Sequence, residues 1–272
     1  MTSEMTKASK VTISFMIFGF VFLYLPIVSL IMNSFSESEV PGVWTRFSLK
    51  WFKAALNDSD LIHAGVTSLK IATLSATGAV IMGVLAAVTT VNTNSAYCRR
   101  FLGNLIMIPA IMPEIVVGFS LLMFFMALES IFGIPYERGI ITVVIGHIVT
   151  TMAYVHMTIR ARLISFDTSI EEVATNLGAR PFTIFIKIKM PIIGRSIIAS
   201  WVLAFTLSID DLVVASFLTG PGSTTLPILI FSNVRIGVTP VINAFSTMFI
   251  CLIVLCGILS FVVVSSVSKR ER

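Results

Sequence analysis

The chain has 272 residues, 56% of them hydrophobic and only 12% charged, with a formal net charge of +5 and a mean hydropathy of +0.96. Soluble domains carry roughly 25% charged residues, so a chain with about half that share cannot cover itself with a water-compatible surface, although it suits lipid. A soluble enzyme is excluded, and the positive balance fits cytoplasmic loops better than nucleic-acid binding.

A bilayer core needs about 20 apolar residues per helix. Runs of that length fall at 11–32, 62–90, 101–127, 139–159, 197–217 and 241–266. They predict an all-α integral membrane protein with about six transmembrane helices. Lys7 and Lys10 precede the first run as in a signal peptide. The run is too long for one and lacks a small-residue cleavage site, so an uncleaved first span is expected. Residues 33–61 mix Glu37, Glu39, Asp58 and Asp60 with Trp44, Trp51 and Phe52, which predicts a short interfacial helix with its aromatics at headgroup level. The second and third runs are long enough to tilt or break. Pro109 and Pro113 predict a kink or interruption in the third, and Gly78 and Gly83 in the second suit close helix packing. The loop at 218–240 is rich in Gly and Pro. Cys98, Cys251 and Cys256 lack CxxC spacing and a His partner, which argues against disulfides and metal. His63, His147 and His156 are dispersed, and His147 reads as a helix-packing donor.

Orientation follows from the basic residues of the loops. With the N-terminus inside, the cytoplasmic face holds thirteen: Lys7, Lys10, Arg99, Arg100, six between Arg160 and Arg195, and Lys269, Arg270 and Arg272. The outer face holds five, namely Arg46, Lys50, Lys53, Arg138 and Arg235, while Lys70 lies within a span. Both termini are therefore expected in the cytoplasm.

The loop at 160–196 has internal order of its own. Ser169-Ile170-Glu171-Glu172 fits a capping box, with Ser169 as N-cap and Glu172 reaching back. Gly178 suits a left-handed helix end, and Pro181 suits the first turn of a second helix that Pro191 would end or kink. By periodicity, the loop reads equally as an amphipathic linker resting on headgroups or as a compact helix–turn–helix. Glu172-Val173-Ala174, then Gly178, Ile188 and Pro191, resemble the EAA motif of ABC-importer permeases: E-A-A, three residues, G, nine residues, I, one residue, L-P. Val173 and Met190 are mild departures. The likeness extends over nearly the whole chain. IMPEIVVGFSLL at 111–122 and the stretch from Trp201 to Arg235 resemble the spermidine/putrescine permease subunits, and ERG at 137–139 with GPGSTTLP at 220–227 lean toward the putrescine-type second permease. Val241, where an acidic residue is expected in that branch, weakens the substrate assignment and leaves the fold untouched.

The resemblance implies an ABC type I importer permease fold, one permease domain over 1–272, and a coupling loop at 160–196. Glu171, Glu172, Ala174, Gly178, Ile188 and Pro191 would then dock on a cytoplasmic ATPase subunit. It also implies a homologous second permease, two ATPase subunits, an external binding protein, and a place in the bacterial inner membrane. No G-x-x-x-x-G-K-[ST] occurs, so ATP would be bound by partners, with no cofactor, metal or nucleic acid in this chain.

Acidic residues inside spans are costly and usually functional. Glu114 lies thirteen residues in from Phe101, and Asp210 thirteen in from Ile197, so both fall roughly 20 Å from the inner face. Lys70 enters from the outside and falls near the same layer. Two readings stand. Glu114, Asp210 and Asp211 line a water-accessible path for a cationic substrate, with Trp201, Phe205 and Tyr154 as aromatic walls; or Lys70 pairs with one acid and locks two helices. One lysine cannot neutralise three carboxylates. An ABC permease for a polyamine, foremost putrescine, is the expected function. The alternatives are a permease for another solute and an ion-driven secondary transporter.

Overall fold

In hydrocarbon every backbone polar group must find a partner within the chain, which leaves helices as the economical solution for spans of this length. The computed structural model describes residues 2–269 apart from 41, 136, 168 and 238, and their side chains except at 2–9, 256 and 259–269. Among the described residues the elements are helices, joined by turns and one isolated antiparallel bridge between Ser36 and Phe47.

In chain order these are α1 (Thr2–Ser34), α2 (Lys50–Asn57), α3 (Ser59–Asn92), α4 (Ala96–Ile111), α5 (Glu114–Phe132) and α6 (Ile140–Ile164). There follow α7 (Ser169–Asn176), α8 (Pro181–Ile184), a π-helical turn (Phe185–Lys189), α9 (Met190–Ile209), α10 (Val213–Leu218), α11 (Leu226–Ile236) and α12 (Pro240–Lys269). Five stretches are long and apolar enough to cross a bilayer: Lys10–Ser34, Ser59–Asn92, Glu114–Phe132, Ile140–Ile164 and Pro181–Ile209. A further helix, α12, has a shorter apolar stretch over Pro240–Leu255 and is helical to Lys269.

Two spans differ from expectation. The third run is two helices, because Met112 is extended (ψ 147°) before Pro113, a residue that clashes with a helical predecessor. Pro109, by contrast, stays inside α4. The fifth span begins at Pro181 rather than near 197 and stops at Ile209. Pro191 does not end its helix. The π-helical turn Phe185–Lys189 lies just upstream of it, and this wider turn accommodates a residue that has no N–H and crowds the carbonyl four back. The Gly- and Pro-rich loop at 218–240 holds α11, a helix that its composition did not suggest.

The chain divides into two compact units, Met1–Ile62 with Ile230–Cys256, and His63–Leu229 with Gly257–Arg272. In the first, the segment after α1 folds back on itself. Glu37 N–H donates to Arg46 O (3.0 Å) and Ser48 N–H to Phe35 O (2.8 Å). The Arg46 guanidinium grips the Glu37 carboxylate and holds it below the usual carboxylate range. The expected interfacial helix is α2, but Trp51 is buried with its Nε1–H donated to Ser36 O at 2.8 Å. It anchors the loop instead of sitting at a headgroup surface.

In the second unit, small residues of α3 (Ala76, Ala79, Ala87) meet Val155 and Ile159 of α6 and Ala204 of α9 in one buried cluster. A Cβ on Gly83 would lie 2.6 Å from Val155 Cγ1 and 3.2 Å from the His156 nitrogen, so a side chain there would force the helices apart. A second cluster joins Ile71, Phe125, Val143, Val214 and Leu218. The cavities described next open beside α6.

Candidate substrate cavity and docking helix

Two helix breaks build the first site. At Met112–Pro113 the chain leaves α4 and starts α5 with Glu114 as its first residue, where the helix dipole favours a carboxylate. At Asp210–Leu212 it leaves α9 and starts α10. The breaks open on one cavity of about 490 Å³, lined by Glu114, Asp210 and Asp211 with Thr150, Thr151 and Tyr154 of α6. No Lys or Arg is among its lining residues. Irregular backbone at membrane depth is tolerated where it faces such a cavity.

The three acids are not equivalent. Asp211 Oδ1 accepts the N–H groups of Val214 (2.9 Å) and Ala215 (3.3 Å), so it caps α10. Its Oδ2 lies 3.7 Å from His147 Nε2, beyond hydrogen-bonding distance, while His147 Nδ1 is 2.6 Å from Ser208 Oγ. Asp210 and Glu114 are exposed and form no ion pair among the described residues. Lys70 is exposed and forms none either, so the alternative in which it locks two helices through an acid is not what the structure holds.

Of the expected aromatic walls, Tyr154 lines the cavity and Trp201 and Phe205 do not. These two stack on each other at 5.3 Å, and Trp201 Nε1–H donates to Thr77 Oγ1 at 3.1 Å. The reason is axial distance. Trp201 and Phe205 precede Asp210 by nine and five residues, about 13 and 8 Å along α9. His147, expected as a helix-packing donor, is buried and pairs with Ser208 of α9; Ser208 itself did not emerge from the sequence reading.

The loop at 160–196 has the compact form. Gly178 has φ +82°. Ala179 N–H donates to Ala174 O (3.0 Å) and Gly178 N–H to Thr175 O (2.9 Å), the two bonds of a Schellman ending. Pro181 opens α8 as its first residue. Ser169 is not the N-cap: it is already helical, and its N–H donates to the Asp167 carboxylate at 2.9 Å, which keeps that carboxyl below its usual range. The preceding position, 168, is outside the described residues. Lys189, buried, bridges Glu171 Oε1 (2.9 Å) and Asn92 Oδ1 (3.4 Å), tying α7 to the end of α3. Glu172, Leu177 and Phe182 are exposed, Ala174 and Ile188 are half-buried, and Pro191 is exposed.

Residues 79–272 match the family described as the inner membrane component of binding-protein-dependent transport systems. The chain belongs to that family. The permease is 41% identical over 256 residues to the putrescine transport system permease protein PotI of Escherichia coli K12, covering 94% of this chain and 91% of that one. It is 36% identical over 264 residues to the spermidine/putrescine transport system permease protein PotC of Haemophilus influenzae, covering 95% and 96%. Among solved structures, a chain of a bacterial ABC transporter involved in import of the acidic polysaccharide alginate superposes with a TM-score of 0.77 at 15% identity, over 94% of both chains. A chain of the MetNI methionine ABC transporter, in an inward-facing form, gives 0.63 at 15% identity over 76% of this chain and 95% of that one. These likenesses show the ABC importer permease fold, and the permease is a multi-pass membrane protein.

Proposed function

We propose that this permease is a subunit of an ATP-driven polyamine importer, with putrescine as the first substrate to test. The observation that carries the reading is the cavity at the two helix breaks, where Glu114 and Asp210 line about 490 Å³ with no lining cation. A diamine brings two ammonium groups, and each can make a charge-assisted hydrogen bond with a carboxylate. Tyr154 adds an aromatic face. The names of the relatives, PotI and PotC, point to the same substrate class.

In this reading the chain forms half of the translocation path beside a homologous second permease, and an external binding protein delivers the substrate. Two ATPase subunits supply the energy, because no phosphate-binding loop sequence occurs here. Both termini lie in the cytoplasm, so α7 and its Schellman ending face the ATPase. Asp211 is a positioning residue: it caps α10 and orients the break that presents Asp210.

The test of the substrate is uptake measured together with membrane abundance. Asp210→Asn and Glu114→Gln keep shape and remove charge. Losing a charge-assisted hydrogen bond of about 1.5–3 kcal/mol should weaken putrescine uptake roughly 10- to 100-fold at normal abundance. Normal uptake in both variants would end the acidic-path reading. Coupling is tested separately by Gly178→Val, because a β-branched residue is strained at φ +82°. Transport and substrate-stimulated ATP hydrolysis should fall while the protein still inserts. Unchanged hydrolysis would remove α7 from the coupling role.

A further inference from the structure

A second cavity, of about 470 Å³, opens between the start of α4 and the end of α6, and the acidic site has no part in it. Arg99, Arg100 and Arg160 line it together with His156 and Asn104, and no carboxylate does. None of the three guanidinium groups forms an ion pair among the described residues. Arg160 Nε and His156 Nδ1 are buried without a hydrogen-bond partner, although His156 Nε2 is satisfied by Thr90 Oγ1 at 3.1 Å. A buried polar group left unpaired in a native protein needs an explanation, and a bound ion or ligand among the arginines supplies one here.

The helix geometry sharpens the point. Arg99 sits in the first turn of α4, which contains no acidic residue, and a cation at a helix N-terminus opposes the dipole unless an anion neutralises it. Phosphate oxygens fit this site, because they take guanidinium groups in bidentate fashion and accept from helix N-termini. The surroundings of the cavity indicate where the phosphate comes from. Tyr97 and Phe101 stack face to face at 6.4 Å beside it, exposed, and Leu105 and Ile108 continue the exposed apolar stripe along α4. A charged pocket at a helix end that runs into an apolar stripe matches a lipid, with its headgroup in the pocket and its acyl chains along the stripe. Aromatic residues are enriched at that depth, and basic pockets between membrane helices take anionic headgroups.

We propose that the cavity formed by Arg99, Arg100 and Arg160 binds the phosphate-bearing headgroup of an anionic phospholipid. The assembled transporter, purified in detergent, is titrated with short-chain phosphatidylglycerol, with phosphatidylcholine of the same chain length, and with inorganic phosphate. Thermal unfolding is the readout. Phosphatidylglycerol should raise the midpoint and phosphatidylcholine should not. Arg99→Gln and Arg100→Gln, both at exposed positions expected to fold, should each raise the half-effect concentration about fivefold, the value of one cation near an anionic lipid. Arg160→Gln should do the same. Inorganic phosphate acting as well as the lipid would assign the site to a soluble anion and overturn the lipid. An equal response in wild type and variants would overturn the site. No response from the assembled transporter would mean that the second permease covers the cavity, which also overturns the proposal.

Discussion

The two cavities open at opposite ends of α4 and on adjoining turns of α6, where Tyr154 and His156, two residues apart, each line one of them. Their volumes are nearly equal, about 490 and 470 Å³. Their charges are opposite. Three carboxylates and no Lys or Arg line the first, and three guanidinium groups and no carboxylate line the second. The difference lies in the backbone. Each acid sits at an interruption: Glu114 begins α5 and Asp211 caps α10, so helix N-termini help to hold those two charges, while Asp210 ends α9. The arginines sit on unbroken helix ends, where long side chains reach polar surroundings without any break. A helix bundle can thus carry opposite sites on one pair of helices by choosing where to interrupt them.

The largest test of this contrast is to put the charge of one cavity into the other. Asp210→Lys places a cation where the diamine should bind. Putrescine uptake should fall by more than about 100-fold, because a carboxylate is lost and a repulsive charge is gained. Retained uptake would mean that the substrate passes elsewhere. Single neutralisation at Asp210 or Glu114 is the next step down, at roughly 10- to 100-fold.

Asp211→Ala should behave differently from both. It removes the cap of α10, worth about 1 kcal/mol, so reduced thermal stability should come first and reduced uptake second. If Asp211→Ala weakens uptake as strongly as Asp210→Asn with unchanged stability, the three acids form one site and the division of roles is wrong. The smallest effect belongs to Glu171→Gln. Its partner Lys189 keeps a second contact at Asn92, and a partly exposed ion pair is worth about 0–1 kcal/mol. ATP hydrolysis per transport cycle should change less than about threefold, and a larger loss would show that this tie transmits the coupling motion.

Much of this arrangement was legible in the residues. The apolar runs announced the spans, and residue counting put Glu114 and Asp210 in one layer, since each lies thirteen residues from its entry point. Gly178 announced its left-handed turn because few other residues suit that backbone. What stayed hidden depends on where helices stop. Pro109 and Pro191 are carried within helices while Pro113 precedes a new one, and proline identity alone does not separate these outcomes. That choice sets the direction of every side chain beyond it. It explains why Asp211 caps a helix that was read as span, whereas Trp201 and Phe205 miss the cavity through their axial distance from Asp210. Lys70 is exposed and pairs with none of the acids among the described residues.

The central claim is that two free carboxylates read the two ammonium groups of a diamine. The most direct measurement is binding selectivity in the assembled, reconstituted transporter, comparing putrescine with a monoamine of the same carbon length. The wild type should prefer the diamine, and Asp210→Asn should lose roughly tenfold or more of that preference, the value of one charge-assisted hydrogen bond, with monoamine binding little changed. An undiminished preference in both Asp210→Asn and Glu114→Gln would contradict the claim and place diamine recognition outside this cavity.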